Sequence, residues 1–335
     1  MQGRFQSAGE VVHVDSGIDW VSSLLVEGAA GGMTYAADDR LAADGGAATT
    51  VRLVVEADRR PFPEEGAAVL TRGAWVSGDA VVFADACASG FALRVQPSGS
   101  ELLVHARYRP TRQVRAASLV LRSRFHLIAR AVLMQYPALW WAGVRGRPPL
   151  HVCAMTTGSG VALLAGPGGV GKSTLLAREL QTGGVATCDN LAVSDGDEVF
   201  GVAEPIRSTS GTGRRAPHGR REMAWTTTRS ASLRPERVVV VRLGSDSPAT
   251  CAPTTGDVAS RSLVTGTLMA GELRRYWAFA ATLAAGTGLG PAQPEIKRVA
   301  DRLATRLPCH VVTLSRGGTD TVSGLFAGQL SESKQ

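Results

Sequence analysis

The pattern of apolar and polar positions divides the chain into two unlike parts. Over residues 1–115 the apolar runs are short: Val51 to Val55, Ala74 to Val76, Val81 to Phe83, Phe91 to Val95 and Leu102 to His105, with Gly, Asp, Ser or Pro between them. Short runs with turn punctuation predict a small, mostly antiparallel sheet. Between residues 117 and 136 the period lengthens. Leu119, Leu121, Phe125, Ile128, Val132 and Met134 fall broadly along one helical side, with Arg122, Arg124 and Arg130 elsewhere, and Pro137 is expected to end that helix. Trp140 and Trp141 then lead into GVRGRPP, which breaks regular structure and puts a domain boundary near residues 143–149. The two indoles read as interdomain packing rather than as a ligand cage.

From Leu150 the order becomes strand, turn, strand, glycine loop, helix, strand. His151 to Met155 and Val161 to Ala165 are the first two strands, joined by a turn at residues 157–160. Thr174 to Leu180 is a helix ending at Gly183 and Gly184, and Val185 to Cys188 is the next strand. Arg237 to Leu243 is a strongly β-branched strand, and residues 262–285 read as one alanine-rich helix around Tyr276, Trp277 and Phe279. Glu295 to Leu307 is an amphipathic helix and His310 to Leu314 a closing strand. This alternation is α/β. The predicted organisation is therefore a β-rich domain over 1–145 that ends in a helix, followed by an α/β domain over 148–330.

Composition narrows the class. With 335 residues, 44% of them hydrophobic, the chain can bury a core and is not disordered as a whole. No run of 18 or more apolar residues and no charged-then-apolar start is present, so no membrane partner is expected. The formal charge is +7, but only Lys172, Lys297 and Lys334 are lysine, and aromatics make up 5%. That arginine bias looks like a coding background, and nucleic-acid binding is not expected. Five widely spaced cysteines without C-x-x-C argue against zinc or a disulfide framework and favour the cytoplasm. His13, His105, Asp38, Asp39 and Asp44 have no metal-ligand spacing and read as ordinary loop, core or surface positions.

The chemistry concentrates in Gly166-Pro167-Gly168-Gly169-Val170-Gly171-Lys172-Ser173, a complete G-x-x-x-x-G-K-[ST] pattern. Glycines let the backbone curl until successive N–H groups face an anion, and the helix that follows favours phosphate at its N-terminus. Gly166, Gly168, Gly169, Val170, Gly171, Lys172, Ser173 and Thr174 are accordingly the expected nucleotide-binding set, with ATP as ligand and Mg²⁺ on the Ser173 hydroxyl. Asp189 ends the strand after this helix, where the carboxyl ends of strands face the ligand crevice. It suits two duties: Mg²⁺ ligand, or base for an attacking hydroxyl.

The run H-x14-G-x4-GKS, then GG-x3-CDN, then AEPIR resembles the catalytic domain of bacterial HPr kinase/phosphorylase over about residues 148–315. With its β-rich front end and the late LPCHVVTL, the layout is more similar still to HPr-kinase-related proteins, some of which phosphorylate a precursor peptide in lasso or other ribosomal-peptide pathways. The resemblance implies a P-loop kinase fold of HPr-kinase and PEP-carboxykinase-like type. It implies an ATP- and Mg²⁺-dependent serine kinase whose phosphoacceptor is a precursor peptide or small protein, and it makes a homo-oligomer an expectation. Residue by residue it puts Lys172 and Gly168–Ser173 on the phosphates, Ser173 and Glu204 on Mg²⁺, Asp189 as general base, and His151 beside that aspartate to orient it. Two positions depart from the family pattern. Asn190 stands where the family has a second aspartate, and Arg207 follows Glu204 as E-P-I-R, one residue further along. Kinase chemistry needs one base, whereas phosphorylase chemistry also uses the aspartate region. Eight arginines between Ile206 and Val238, spaced by Ser, Thr and Gly, predict a mobile loop able to grip phosphate or an acidic peptide. A nucleotide-binding regulatory module and a small-molecule hydroxyl kinase are the alternative readings.

Overall fold

A computed structural model describes residues 1–35, 50–64, 66–208, 213–216, 219–225, 229–244 and 248–332; Asp38, Asp39 and Asp44 lie outside these. A hairpin of β1 (Gln2–Ser7) and β2 (Glu10–Ser16) opens the chain, followed by helix α1 (Asp19–Gly28) and edge strand β3 (Thr34–Tyr35). The next strands are β4 (Val51–Glu56), β5 (Ala68–Thr71), β6 (Ala74–Ser77), β7 (Ala80–Phe83), β8 (Phe91–Ser98) and β9 (Glu101–Tyr108). Together they form one sheet in the order β3-β1-β2-β4-β9-β8-β7-β6-β5, antiparallel except at β2–β4 and β4–β9.

The helical segment differs from its sequence pattern. It is three helices, α2 (Arg112–Val120), α3 (Arg122–Arg130) and α4 (Tyr136–Val144), with a π turn over Ala131–Gln135 before the last. Pro137 does not end a helix. It lies in the first turn of α4, directly after the π turn, a position where proline is tolerated. Trp140 and Trp141 are consequently helical and buried.

The second part begins with β10 (Pro149–Leu150), β11 (Val152–Thr157), β12 (Gly160–Ala165), α5 (Lys172–Gln181), β13 (Ala186–Cys188), β14 (Ala192–Ser194) and β15 (Val199–Gly201). Next come β16 (Ile206–Ser208), β17 (Arg214–Arg215), β18 (Arg221–Met223), β19 (Ser232–Leu233), β20 (Arg237–Leu243) and β21 (Thr250–Pro253). Helices α6 (Gly256–Leu268), α7 (Arg274–Thr287) and α8 (Ile296–Arg306), then β22 (Cys309–Leu314) and α9 (Val322–Glu332), complete it. The architecture is mixed α/β with several sheets. No helix among the described residues is long and apolar enough to cross a membrane.

The six-stranded sheet, ordered β13-β11-β12-β20-β22-β21, is covered on both faces, which is why VALLA and VVVV are continuously apolar. Alternate residues go to opposite sides. Leu163, Val238 and Val240 meet Leu263 of α6 and Leu303 of α8, while Leu164, Val239 and Val241 meet Leu175 of α5 and Phe326 of α9.

Two further expectations are corrected. Residues 262–285 are not one helix. A 3-10 turn at Gly271–Leu273 separates α6, packed on the six-stranded sheet, from α7, whose Tyr276, Phe279 and Leu283 join the core of the nine-stranded sheet. One straight rod cannot serve both surfaces. The arginine-rich segment, where described, is not a featureless loop either. β16, β18 and β17 form a small antiparallel sheet in that order, and Glu222 on its central strand binds Arg130 through both oxygens at 2.5 and 3.0 Å.

Phe279 stacks on Phe83 with ring centroids 4.9 Å apart and is 2% exposed. Replacing it with alanine removes this stacked apolar link of α7 to the first sheet. Phe279→Ala is expected to lower stability by about 3–5 kcal/mol in urea unfolding, a cost typical of large-to-small changes in a packed core.

Candidate active site

Strand direction assembles the site. β11 runs antiparallel to both β12 and β13, so the start of β11 and the ends of β12 and β13 share one sheet edge. Val152 pairs with Ala165 and Ala154 with Cys188, which brings His151, Gly166 and Asp189 to that edge. The glycine loop leaves β12 there and enters α5 through Gly171, whose φ of 105° favours glycine. Pro167, Gly168 and Gly169 are exposed, whereas Lys172 is buried. Among the described residues nothing accepts a hydrogen bond from the backbone N–H groups of residues 171–174, the usual orphans of a helix start. Such a set attracts an anion.

Lys172 Nζ donates to the Gly166 and Pro167 carbonyls at 2.7 and 3.0 Å. Burial lowers its pKa to about 8. Asp189 is 1% exposed, and its Oδ2 accepts the Arg207 N–H at 2.8 Å. Its Oδ1 is buried without a partner within hydrogen-bond geometry, although the Ser173 hydroxyl stands beside the carboxyl group. Burial raises the Asp189 pKa, against the pull of Ser173 and Arg207. An orphan carboxylate oxygen beside a phosphate-type loop is a place for a proton or a hard cation.

His151 is placed differently from its expected role. Its Nε2 lies 3.1 Å from Asn190 Oδ1, not against Asp189, and its Nδ1 lies 3.1 Å from the Gly266 carbonyl. A neutral ring donating to Gly266 offers an acceptor at Nε2, so it pairs with Asn190 when the side-chain amide turns its NH2 inward. That turn also satisfies the otherwise unpartnered Asn190 Nδ2. Burial first, then the Lys172 charge, depress the His151 pKa to about 4. Gly266 brings the end of α6 against the loop, where an added Cβ would come within 2.9 Å of the Gly166 oxygen.

Glu204 is fully buried, with Oε1 accepting the Leu191 N–H at 3.0 Å and Oε2 lying 3.4 Å from Arg207. Both oxygens are thus engaged by protein donors rather than offered to a metal. Burial still raises its pKa to about 7, despite Arg207. Arg207 also binds Glu272, on the turn between α6 and α7. Among the described residues no group of three or more His, Cys, Asp or Glu side chains could hold a metal ion. Sequence reading did not single out Glu272 or Gly266, and no local motif marks either. Among the arginines it left undecided, Arg207 is locked in ion pairs, while the Arg220 charge is a minor influence at both Lys172 and Asp189.

The depressed His151 pKa has a thermodynamic consequence. The unfolded chain takes up this proton below about pH 6.5 and the native state only near 4, so stability held above 6.5 is lost as the pH falls between those values. The wild type is expected to lose up to about 3 kcal/mol across this window relative to a His151→Gln variant. Urea unfolding at stepped pH measures the difference.

No protein-family model matches the chain, and no curated protein matches it in sequence.

Proposed function

We propose that the protein is a P-loop kinase of HPr-kinase and PEP-carboxykinase-like fold that transfers the γ-phosphate of ATP to a hydroxyl, the serine of a precursor peptide or small protein. The observation that carries this reading is one sheet edge that holds free N–H groups at a helix start, Lys172, and the orphan Oδ1 of buried Asp189. The triphosphate lies over the N–H groups of the loop, and Lys172 exchanges its two carbonyl partners for phosphate oxygens. Asp189 accepts the acceptor's hydroxyl proton, and its raised pKa makes it a better base. The hydroxyl oxygen forms a bond to the γ-phosphorus as the bond from phosphorus to the bridging oxygen breaks, and ADP leaves. Arg220, whose charge acts at both Lys172 and Asp189, is a candidate to offset charge on the transferred group.

Ser173 and the unpartnered Asp189 oxygen fit a divalent cation, being hard oxygen donors. Magnesium held by them would neutralise phosphate charge when bound. The same Asp189 oxygen suits either duty, ligand or base. Asn190, engaged with His151, is the one feature that favours a second reading, a nucleotide-binding regulatory module without transfer.

Incubation with labelled ATP and candidate peptides tests both. Asp189→Asn is expected to lower transfer by about 10²–10⁴-fold with ATP binding retained. Arg220→Ala should reduce kcat more than it raises KM. Hydrolysis unaffected by Asp189→Asn, with no peptide labelled, would remove the kinase reading. Tight ATP binding without phosphate release would establish the second one.

A further inference from the structure

A large cleft lies outside the phosphate site. It encloses about 1660 Å³ between α1, the end of β9, α2 with α3, and β17. Arg59, Arg109, Arg115, Arg122, Arg214 and Arg215 line it. The single carboxylate among the described lining residues, Glu27, is already bound to Arg214 at 2.5 Å. Among the described residues, Arg59, Arg115, Arg122 and Arg215 make no ion pair, so the cleft has a surplus of positive charge.

Its rim is apolar. Helix α2 buries none of its residues, and Leu119 and Val120 are 80% and 82% exposed. A nine-residue helix is too short to hold itself without packing one face. Behind the rim, Trp20, Tyr108 and Phe125 pack against one another and against Phe91, with Trp20–Tyr108 centroids 4.9 Å apart, Tyr108–Phe125 at 6.1 Å and Trp20 still 38% exposed. A phosphodiester chain gains nothing from an aliphatic ridge. The chemistry that matches both features is a carboxylate-bearing peptide with aliphatic side chains.

We infer that this cleft docks an acidic, leucine-containing segment of a peptide partner, which, on the kinase reading above, is the part of the phosphoacceptor away from its serine. The small sheet connects the cleft to the active edge. Arg214 and Arg215 lie on β17, Glu222 on the central strand β18 is clamped by Arg130, and β16 presents the Arg207 N–H to Asp189. A peptide pressed against β17 therefore braces the strands that hold the proposed base.

Fluorescence anisotropy on the full-length protein, without nucleotide, tests the docking. The probes are a short labelled peptide of Glu, Asp, Leu and Gly, its analogue with Lys replacing the acids, and oligouridine. The acidic peptide should bind in a salt-sensitive manner, and Arg115→Glu with Arg122→Glu should weaken it at least about tenfold. Both arginines are exposed, so the variant should melt like the wild type and bind ATP within about twofold of it. Leu119→Ser with Val120→Ser should also weaken the peptide while leaving the fold intact. Unchanged affinity in the charge-reversed protein, or equal binding of the Lys analogue or oligouridine, overturns the inference. Absent peptide binding with ATP still bound overturns the cleft and spares the phosphate loop. Binding of the acidic peptide, with no label passed from ATP to any serine-bearing candidate peptide, upholds the cleft and removes the kinase reading.

Discussion

The ion pairs of Arg207 are the interaction on which the candidate site depends. Carboxylates removed from water cost several kcal/mol each unless charge and hydrogen bonds are returned to them. Glu204 follows β15, Glu272 sits on the turn after α6, and Asp189 ends β13, yet all three converge on this one residue, two through the guanidinium and one through the backbone N–H. Burial opposes the Arg207 charge, and the neighbouring carboxylates more than restore it. One residue thus fixes three segments, and it leaves Asp189 with one oxygen satisfied and one open.

The break between α6 and α7 belongs to the same arrangement. Gly266 lets α6 run up to the loop backbone, the turn at Gly271–Leu273 presents Glu272 to Arg207, and α7 then departs to cover the nine-stranded sheet. The first sheet is tied in by apolar contact with α7, and helix α3 by ionic contact from Arg130 to Glu222. The edge of the candidate site is consequently coupled to both parts of the chain, and the small sheet β16-β18-β17 lies between that edge and the arginine-lined cleft.

Local pattern was informative where neighbours along the chain decide conformation. The strands Val51–Glu56, Ala80–Phe83 and Arg237–Leu243 follow their apolar runs, and a glycine that needs positive φ opens α5 at Gly171. It was less informative where a residue's environment comes from elsewhere. Pro137 reads as a stop because proline breaks helix interiors, but the π turn before it moves it into a first turn, where it is tolerated. The hairpin Gln2–Ser7 with Glu10–Ser16 has too mixed a pattern to stand out as apolar runs.

The sequence by itself determined the glycine loop with its lysine, the β-branched strands and the α/β alternation, because backbone propensity and side-chain period act over a few residues. Only the tertiary structure decided that β11 runs against its neighbours, that His151 meets Asn190, and that Arg207 rather than another arginine is buried among Glu204 and Glu272. Charge pairing and desolvation are properties of groups brought together across long chain separations. No local period encodes which arginine will lie beside which carboxylate.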